Sequence, residues 1–380
     1  MKHAKIVIKS PFPKEEILEL VIDKTDLQNV LKKAISATEK KSALPILSNF
    51  LLEAKDDKLT VQGTDLEVHV SVSVFAKVEN EGIACVNAKK LTDISRLLPS
   101  NEVYIKLEDN HLKVKSGKTK YNLPVSSPED FPNMYPFPED NAFIISGENL
   151  QKAISKTIYA TSKEESRFAL QGVLFKSLDG TIDVVATDGH RLALYTIERT
   201  GTGDINIIVP QKALNELKKL LTGLEDVEVA ATDQYVFFRT KEWILMSRLL
   251  EGAFPDYTQV IPKEFSREIK LNKKEFLEAV KRVSAVIEGD TKPLKLTLKE
   301  GVLELKSASP EYGEAVDEIS IDYSDEEFSI GFNAKYLIEA VDVIDSEDII
   351  IKFTNPSAQT LFLPSDETDK YKAIVMPMEV

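Results

Sequence analysis

Asp188, Gly189, His190 and Arg191 stand together in VVATDGHRLALY, residues 184–195. A carboxylate two residues from an imidazole is the raw material of general acid–base catalysis, and the chain has only four histidines. The apolar runs on either side read as strands, with the four polar residues at the turn between them. Nothing else gathers around them. There is no G-x-S-x-G, no glycine-rich phosphate loop and no H-E-x-x-H. His3, His69 and His111 are isolated, and none has a partner at metal-ligand spacing, so no metal is expected. His69 falls at an alternating strand position and reads as a surface or core-edge residue. The single cysteine, Cys85, excludes an internal disulfide and a cysteine metal cluster; it reads as a small buried apolar residue of a reduced, cytoplasmic protein. Three readings stand at this point: a small-molecule enzyme using Asp188 and His190, a monomeric protein-binding scaffold, and a turn that presents a surface within a larger assembly.

The chain repeats itself. DLQNVLKKAISA begins at Asp26, NLQKAISKTIYA 123 residues later at Asn149, and EFLEAVKRVSAV at Glu275. Each carries apolar residues at the spacing of an amphipathic helix. A second helix recurs in register: NAKKLTDISRLL from Asn87, PQKALNELKKLL from Pro210 and NAKYLIEAVDVI from Asn333, at intervals of 123. Asn and Pro suit a helix start. Alternating strand pairs follow from Glu102, Asp226 and Asp348, and FPNMY at Phe131 returns as FPDYT at Phe254. A period this long is a domain rather than a solenoid turn. The expectation is an α+β protein of three domains of one fold, 18–139, 140–262 and 263–380, each with antiparallel sheets and two helices on one face, behind an extension, 1–17.

The repeat bears on Asp188. Thr64-Asp65 lies one period before Thr187-Asp188, and the turn pair Ser309-Pro310 takes that place in the third domain. Thr-Asp is then most simply a structural turn, and Gly189-His190-Arg191 is the part special to the middle domain.

At 43% hydrophobic and 29% charged residues, the chain is globular rather than disordered. No apolar run is long enough to span a bilayer, and the N-terminus lacks the apolar core of a secretion signal. The net charge of −14 argues against a uniformly basic nucleic-acid coat. Its distribution is uneven, however. The six expected helices carry +2, +2, +3, +2, +2 and −1, which is +10 together, so the remainder carries −24. Lysine favours helices in general, but that preference does not account for five of six helices sharing one sign in an acidic chain. If the helices faced one surface, it would attract phosphate without reading base sequence.

Residues 18–380 resemble the bacterial DNA polymerase III beta subunit, the replicative sliding clamp. SALPILSNFLLEA (42–54), ESRFALQGVLF (165–175), VVATDGHRLAL (184–194), GAFPDYTQVIP (252–262), GFNAKYL (331–337) and the terminal IVMPM (374–378) carry the resemblance. It implies three similar domains per subunit and a homodimer joined head to tail into a helix-lined ring around double-stranded DNA. It implies no catalysis, no cofactor and no membrane partner. The expected partners are the DNA polymerase III catalytic subunit, a clamp loader and other proteins bearing a Gln-Leu-x-Leu-Phe-like peptide. The peptide groove would be walled by Arg167, Leu170, Thr187, Gly189, His190, Arg191, Leu192, Pro255, Val260, Asn333, Tyr336, Ile374, Met376, Pro377 and Met378. In it the Met thioethers would adapt to Leu and Phe anchors, and His190 and Arg191 would donate to peptide carbonyls. DNA would meet Lys32, Lys33, Lys41, Lys89, Lys90, Lys152, Lys156, Lys212, Lys218, Lys281 and Arg282, with Phe168 stacking on a base or sugar. The subunit seam would set Lys118 and Lys120 against Glu311 and Glu314, and pack Tyr121 and Leu123 on Val286 and Ile287. The chain departs from its relatives in Phe168-Ala169, where tyrosines are common, and in Glu379, where a basic residue is common.

Overall fold

The computed structural model describes residues 18–39 and 43–380. Six helices follow the sequence period: α1 (Lys24–Ala34), α2 (Ala88–Leu97), α3 (Gly147–Thr157), α4 (Gln211–Leu220), α5 (Lys273–Val283) and α6 (Ala334–Asp342). Four begin on an Asx side chain that accepts an otherwise orphaned backbone N–H. Asp23 takes Thr25 N at 2.7 Å, Asn87 takes Lys90 N at 3.0 Å, Asn272 takes Glu275 N at 3.1 Å and Asn333 takes Lys335 N at 3.1 Å. The apolar stripes face inward. α1 buries Leu27, Val30, Leu31 and Ala34, and α5 buries Phe276, Leu277, Ala279, Val280 and Val283. Each large side chain so covered contributes about 1.5–3 kcal/mol, which holds the helices to their sheets.

The chain forms two compact units, one reaching to Pro136 and including Phe238–Met246, the other holding Phe137–Phe237 and Ser247–Val380. In the first, nine antiparallel strands run in the order Val68–Phe75, Lys58–Thr64, Asn49–Lys55, Gly82–Asn87, Thr119–Ser126, His111–Ser116, Glu102–Glu108, Glu19–Asp23, Lys77–Asn80. Cys85 is buried there and burial pushes its thiol up to about 11. Trp243 is buried, at 3% exposed.

The second unit contains an eight-stranded sheet to which two domains contribute. Its order is Asn206–Pro210, Gly172–Leu178, Thr181–Thr187, Arg191–Glu198, then Tyr371–Val375, Thr360–Pro364, Asp348–Phe353 and Arg267–Asn272. The halves meet where Arg191 pairs with Val375, Leu192 with Ile374 and Tyr195 with Tyr371. A separate four-stranded sheet, Gly313–Ser320, Val302–Ser309, Pro293–Lys299, Phe328–Asn333, leads directly into α6. Its ladders and the one joining the two halves are antiparallel. The turn of the opening motif thus stands on one sheet and α6 on another.

Candidate functional site

The Thr-Asp turn is built alike in both repeats. Thr187 Oγ1 donates to Arg191 O at 2.7 Å and accepts Gly189 N at 3.1 Å; Asp188 Oδ1 accepts His190 N at 2.9 Å and Arg191 N at 3.0 Å. One period earlier Thr64 and Asp65 make the same bonds to Val68 O, Leu66 N, Glu67 N and Val68 N. In the third domain Ser309 Oγ accepts from Glu311 N and Tyr312 N. Asp188 is therefore a turn former, and its other oxygen takes Arg191 Nε at 3.1 Å. The His190 ring lies instead against Tyr336, with centroids 6.4 Å apart and planes at 18°. The geometry gives no acid–base pair.

Gly189 has φ +87°, and Leu66 holds the same place in the first domain at φ +77°. The left-handed backbone alone does not demand glycine there, since a leucine tolerates it at some cost. What the middle domain adds is Arg167. Its Nη1 donates to Asp188 O at 2.7 Å and would lie 2.6 Å from a Cβ on Gly189.

The C-terminal segment closes against this turn. Met376 N donates to His190 O at 2.9 Å and Met378 N to Gly331 O at 2.9 Å, leaving Met376, Pro377 and Met378 half-buried. A Cβ on Gly331 would meet Met378 O at 2.5 Å, so glycine is what lets the tail approach the sheet. Leu192 and Ile374 are buried in one cluster with Leu174, Val185, Leu194, Ile208, Tyr257 and Leu361. They form the floor rather than the wall. Thr187 is buried, Leu170 and Val260 are half-buried, and Arg167 and Pro255 are exposed. Val260 O accepts Gln359 Nε2 at 3.0 Å. Asn333 is spent on capping α6 and on accepting Lys292 N at 3.2 Å.

Arg191 corrects an expectation. It is 7% exposed, and all three guanidinium nitrogens are engaged: Nε with Asp188, Nη1 with Glu339, and Nη2 with Tyr159 O at 2.9 Å. It lies 5.2 Å from the Tyr159 ring centroid and 4.5 Å from that of Tyr336. A guanidinium so committed holds the site together and is not a donor waiting for a carbonyl. Tyr159 and Glu339 were missed by sequence reasoning. Glu339 follows Tyr336 by three residues on α6, the spacing that sets two side chains on one face.

The helix cations divide. Lys32, Lys89, Lys90, Lys212, Lys281 and Arg282 are exposed. Lys33, Lys152 and Lys218 are half-buried. Several are in weak surface pairs: Lys33 with Glu242 at 3.7 Å, Lys89 with Asp93 at 3.7 Å, Lys152 with Asp345 at 3.1 Å and Arg282 with Asp317 at 2.7 Å. Lys156 breaks the pattern. Its side chain is 3% exposed, paired with Asp369 at 2.5 Å and Asp345 at 3.0 Å, beneath the rings of Tyr195 and Tyr371. It is an internal cation and cannot meet a phosphate from there. Phe168 is 53% exposed, and Lys41 lies outside the described residues.

The amino-terminal, central and carboxy-terminal domains of the DNA polymerase III beta subunit match residues 18–135, 144–256 and 258–379. The chain belongs to that family. A beta sliding clamp of Caulobacter vibrioides is 33% identical over 96% of this chain and 100% of its own length; that of Bacillus subtilis is 31% identical over 92% and 97%. The solved Bacillus subtilis clamp superposes with a TM-score of 0.90 at 30% identity, covering 96% of this chain and 99% of its own. A Pseudomonas aeruginosa clamp solved with bound griselimycin gives 0.91 at 30% identity, covering 96% and 100%. This beta subunit is accordingly a non-catalytic DNA polymerase III processivity clamp of three clamp domains, and the acid–base reading of Asp188 and His190 falls.

Among the strand edges that stay open in the described ladders, two belong to the strands expected at the subunit seam. Thr119–Ser126 bonds to Gly82–Asn87 only through Cys85↔Ser126 and Val86↔Val125, so its first residues bond on one side only. Gly313–Ser320 ends its sheet, pairing with Val302–Ser309 alone. Lys118, Lys120, Glu311 and Glu314 are exposed, and Tyr121, Leu123 and Val286 half-buried. Ile287 is 9% exposed and serves its own core, and Glu314 already pairs with Lys306 at 2.7 Å.

Proposed function

We propose that two copies of this chain close head to tail into a ring around double-stranded DNA in the cytoplasm, domains 18–139, 140–262 and 263–380 of each turning their basic helices to the duplex. A clamp loader would place the ring, which then tethers the DNA polymerase III catalytic subunit and other proteins by a Gln-Leu-x-Leu-Phe-like peptide. The observation that carries the peptide reading is the C-terminal Met-Pro-Met, tied at Met376 to His190 and at Met378 to Gly331. It sets two adaptable thioethers beside an apolar floor and an exposed arginine, the composition of a groove for a short apolar peptide. Griselimycin on the Pseudomonas aeruginosa clamp is consistent with a ligand site in the fold.

The exposed cations of α1, α2, α4 and α5 in a chain of net charge −14 support the DNA reading, since they concentrate an attraction that the remainder opposes. The two open edges support the seam, because antiparallel edges add to one another through backbone bonds. Tethering then raises the polymerase's local concentration with no new chemistry. Loading onto nicked circular DNA is the test: a topological ring stays on circles in high salt and is lost when they are cut. Equal retention on both forms defeats the reading. Reversing Lys118 and Lys120 to Glu should shift sedimentation toward monomer; an unchanged dimer removes these lysines from the seam.

A further inference from the structure

The contacts behind the groove turn form one continuous polar chain between the central and C-terminal domains. Arg191 bridges Asp188 on the turn to Glu339 on α6, while its Nη2 is held by Tyr159 O. Tyr371 OH donates to Ala340 O at 2.8 Å, so its one proton is spent and Tyr159 OH is the donor in the 2.7 Å bond between the two phenols. Burial pushes both phenols above their ordinary value, and the pair stays neutral at working pH.

This arrangement answers a geometric need. The turn and the Met-Pro-Met segment ride on the eight-stranded sheet, whose ladder fixes Arg191 opposite Val375. Tyr336, on the other side, rides on α6, which grows from the separate four-stranded sheet. No strand pairing sets the spacing between them. Beside the Met378–Gly331 and Tyr371–Ala340 bonds, a guanidinium with engaged nitrogens and a fixed planar fork spans that gap next to Tyr336 itself. Such a buried pair adds little to stability compared with apolar packing, and its value lies in orientation.

We propose that Glu339 and Tyr159 are positioning residues of the peptide groove: by holding Arg191 extended between the turn and α6 they set the gap between Tyr336 and the 187–192 turn, and so decide which apolar anchor the groove accepts. This rests on the peptide reading above. Glu339 is one-third exposed, and Glu339→Gln removes its charge while Arg191 keeps Asp188 as a counter-ion, so the buried guanidinium is not left unpaired.

The test is fluorescence anisotropy of a labelled peptide containing Gln-Leu-x-Leu-Phe against the full chain, Glu339→Gln, Arg191→Met, their double variant and Met378→Ala. Glu339→Gln should weaken binding roughly tenfold, within the usual range of couplings between neighbouring groups. The double variant should be no weaker than Arg191→Met alone, because Glu339 acts through Arg191. If the two residues act independently the losses multiply instead, and that result overturns the proposal, as does a Glu339→Gln variant that binds like the parent while Met378→Ala is impaired. Absence of binding by the parent chain, or parent-like binding by Met378→Ala, overturns the groove reading itself and the proposal with it.

Discussion

Replacing Lys156 by Met separates two roles a lysine on a clamp helix can have. Lys156 is 3% exposed and its main partner, Asp369, is 5% exposed. Asp345 is 63% exposed and water screens it, so that contact adds little. Removing the ammonium leaves the Asp369 carboxylate buried with only the Tyr371 N–H at 3.3 Å among its described side-chain bonds. Losing one partner of a buried pair costs about 3–5 kcal/mol. For a cooperative unit of this size that lowers the midpoint on the order of 10 °C, which calorimetry would resolve. Lys156→Met with Asp369→Leu should recover most of the loss, since replacing both partners with apolar groups is near neutral. DNA binding should behave in the opposite sense. Removing one cation that neutralises a phosphate makes the slope of log affinity against log salt shallower by about 0.9. Lys156→Met should therefore leave that slope alone, while Lys90→Met or Lys281→Met reduces it. A Lys156→Met chain with a parent-like melting point and a shallower salt slope would show that the ammonium points at DNA after all, and the account of it as an internal tie would be wrong.

Three further outcomes follow from single contacts. Gly189→Ala places a Cβ 2.6 Å from Arg167 Nη1 at φ +87°; urea denaturation should show a loss of about 1–2 kcal/mol, and the peptide should bind more weakly as Arg167 is displaced, whereas unchanged values would mean the turn has slack. His69 is 2% exposed, bonded to Gln62 at 3.0 Å, and burial lowers its pKa to about 4. The folded ring stays neutral while the unfolded one takes a proton below about 6.5, so stability falls by up to about 3 kcal/mol as pH drops from 6.5 to 4; His69→Leu, with the residue the second repeat carries at that place, should flatten this dependence, and an equally steep curve would refute the assignment. Cys85, fully buried with its thiol raised to about 11, should resist alkylation at pH 8 until denaturant is added, a contrast that mass spectrometry of the two states measures directly.

What the sequence revealed and what it hid differ by the separation of the residues involved. The helix starts at Asn87 and Asn333, the Thr-Asp turns and the α1 stripe of Leu27, Val30, Leu31 and Ala34 are settled within a few residues of chain. Caps, turns and amphipathic spacing are local chemistry, and a repeat of 123 residues showed each of them more than once. The repeat even distinguished Asp188 as a turn former from Gly189 as a residue with local purpose, although not that the purpose is Arg167. The misread residues are those whose partners are remote. Lys156 meets Asp369 across 213 positions, and Arg191 meets Glu339 across 148. His69 lies edge-on to Phe131, 6.0 Å between centroids, which an alternating strand pattern cannot foresee.

The summed helix charge illustrates the limit. Lys152 and Lys156 stand four apart on α3, one stripe by spacing, and a tally of charge treats them as equal. The fold does not: Lys156 is buried against a carboxylate from the C-terminal domain, while Lys152 stays 36% exposed and pairs with the exposed Asp345. Counting cations on helices thus summed two kinds of lysine, those exposed on the surface and one that ties two domains together. The same reasoning separates Arg191 from Arg167, where the first is buried between two domains and the second stays exposed, paired with Glu164 and Asp188 O. In a chain of net charge −14 the cations available to a polyanion are those the fold leaves exposed rather than tied to a buried acid, and locating the buried acids is what required three dimensions.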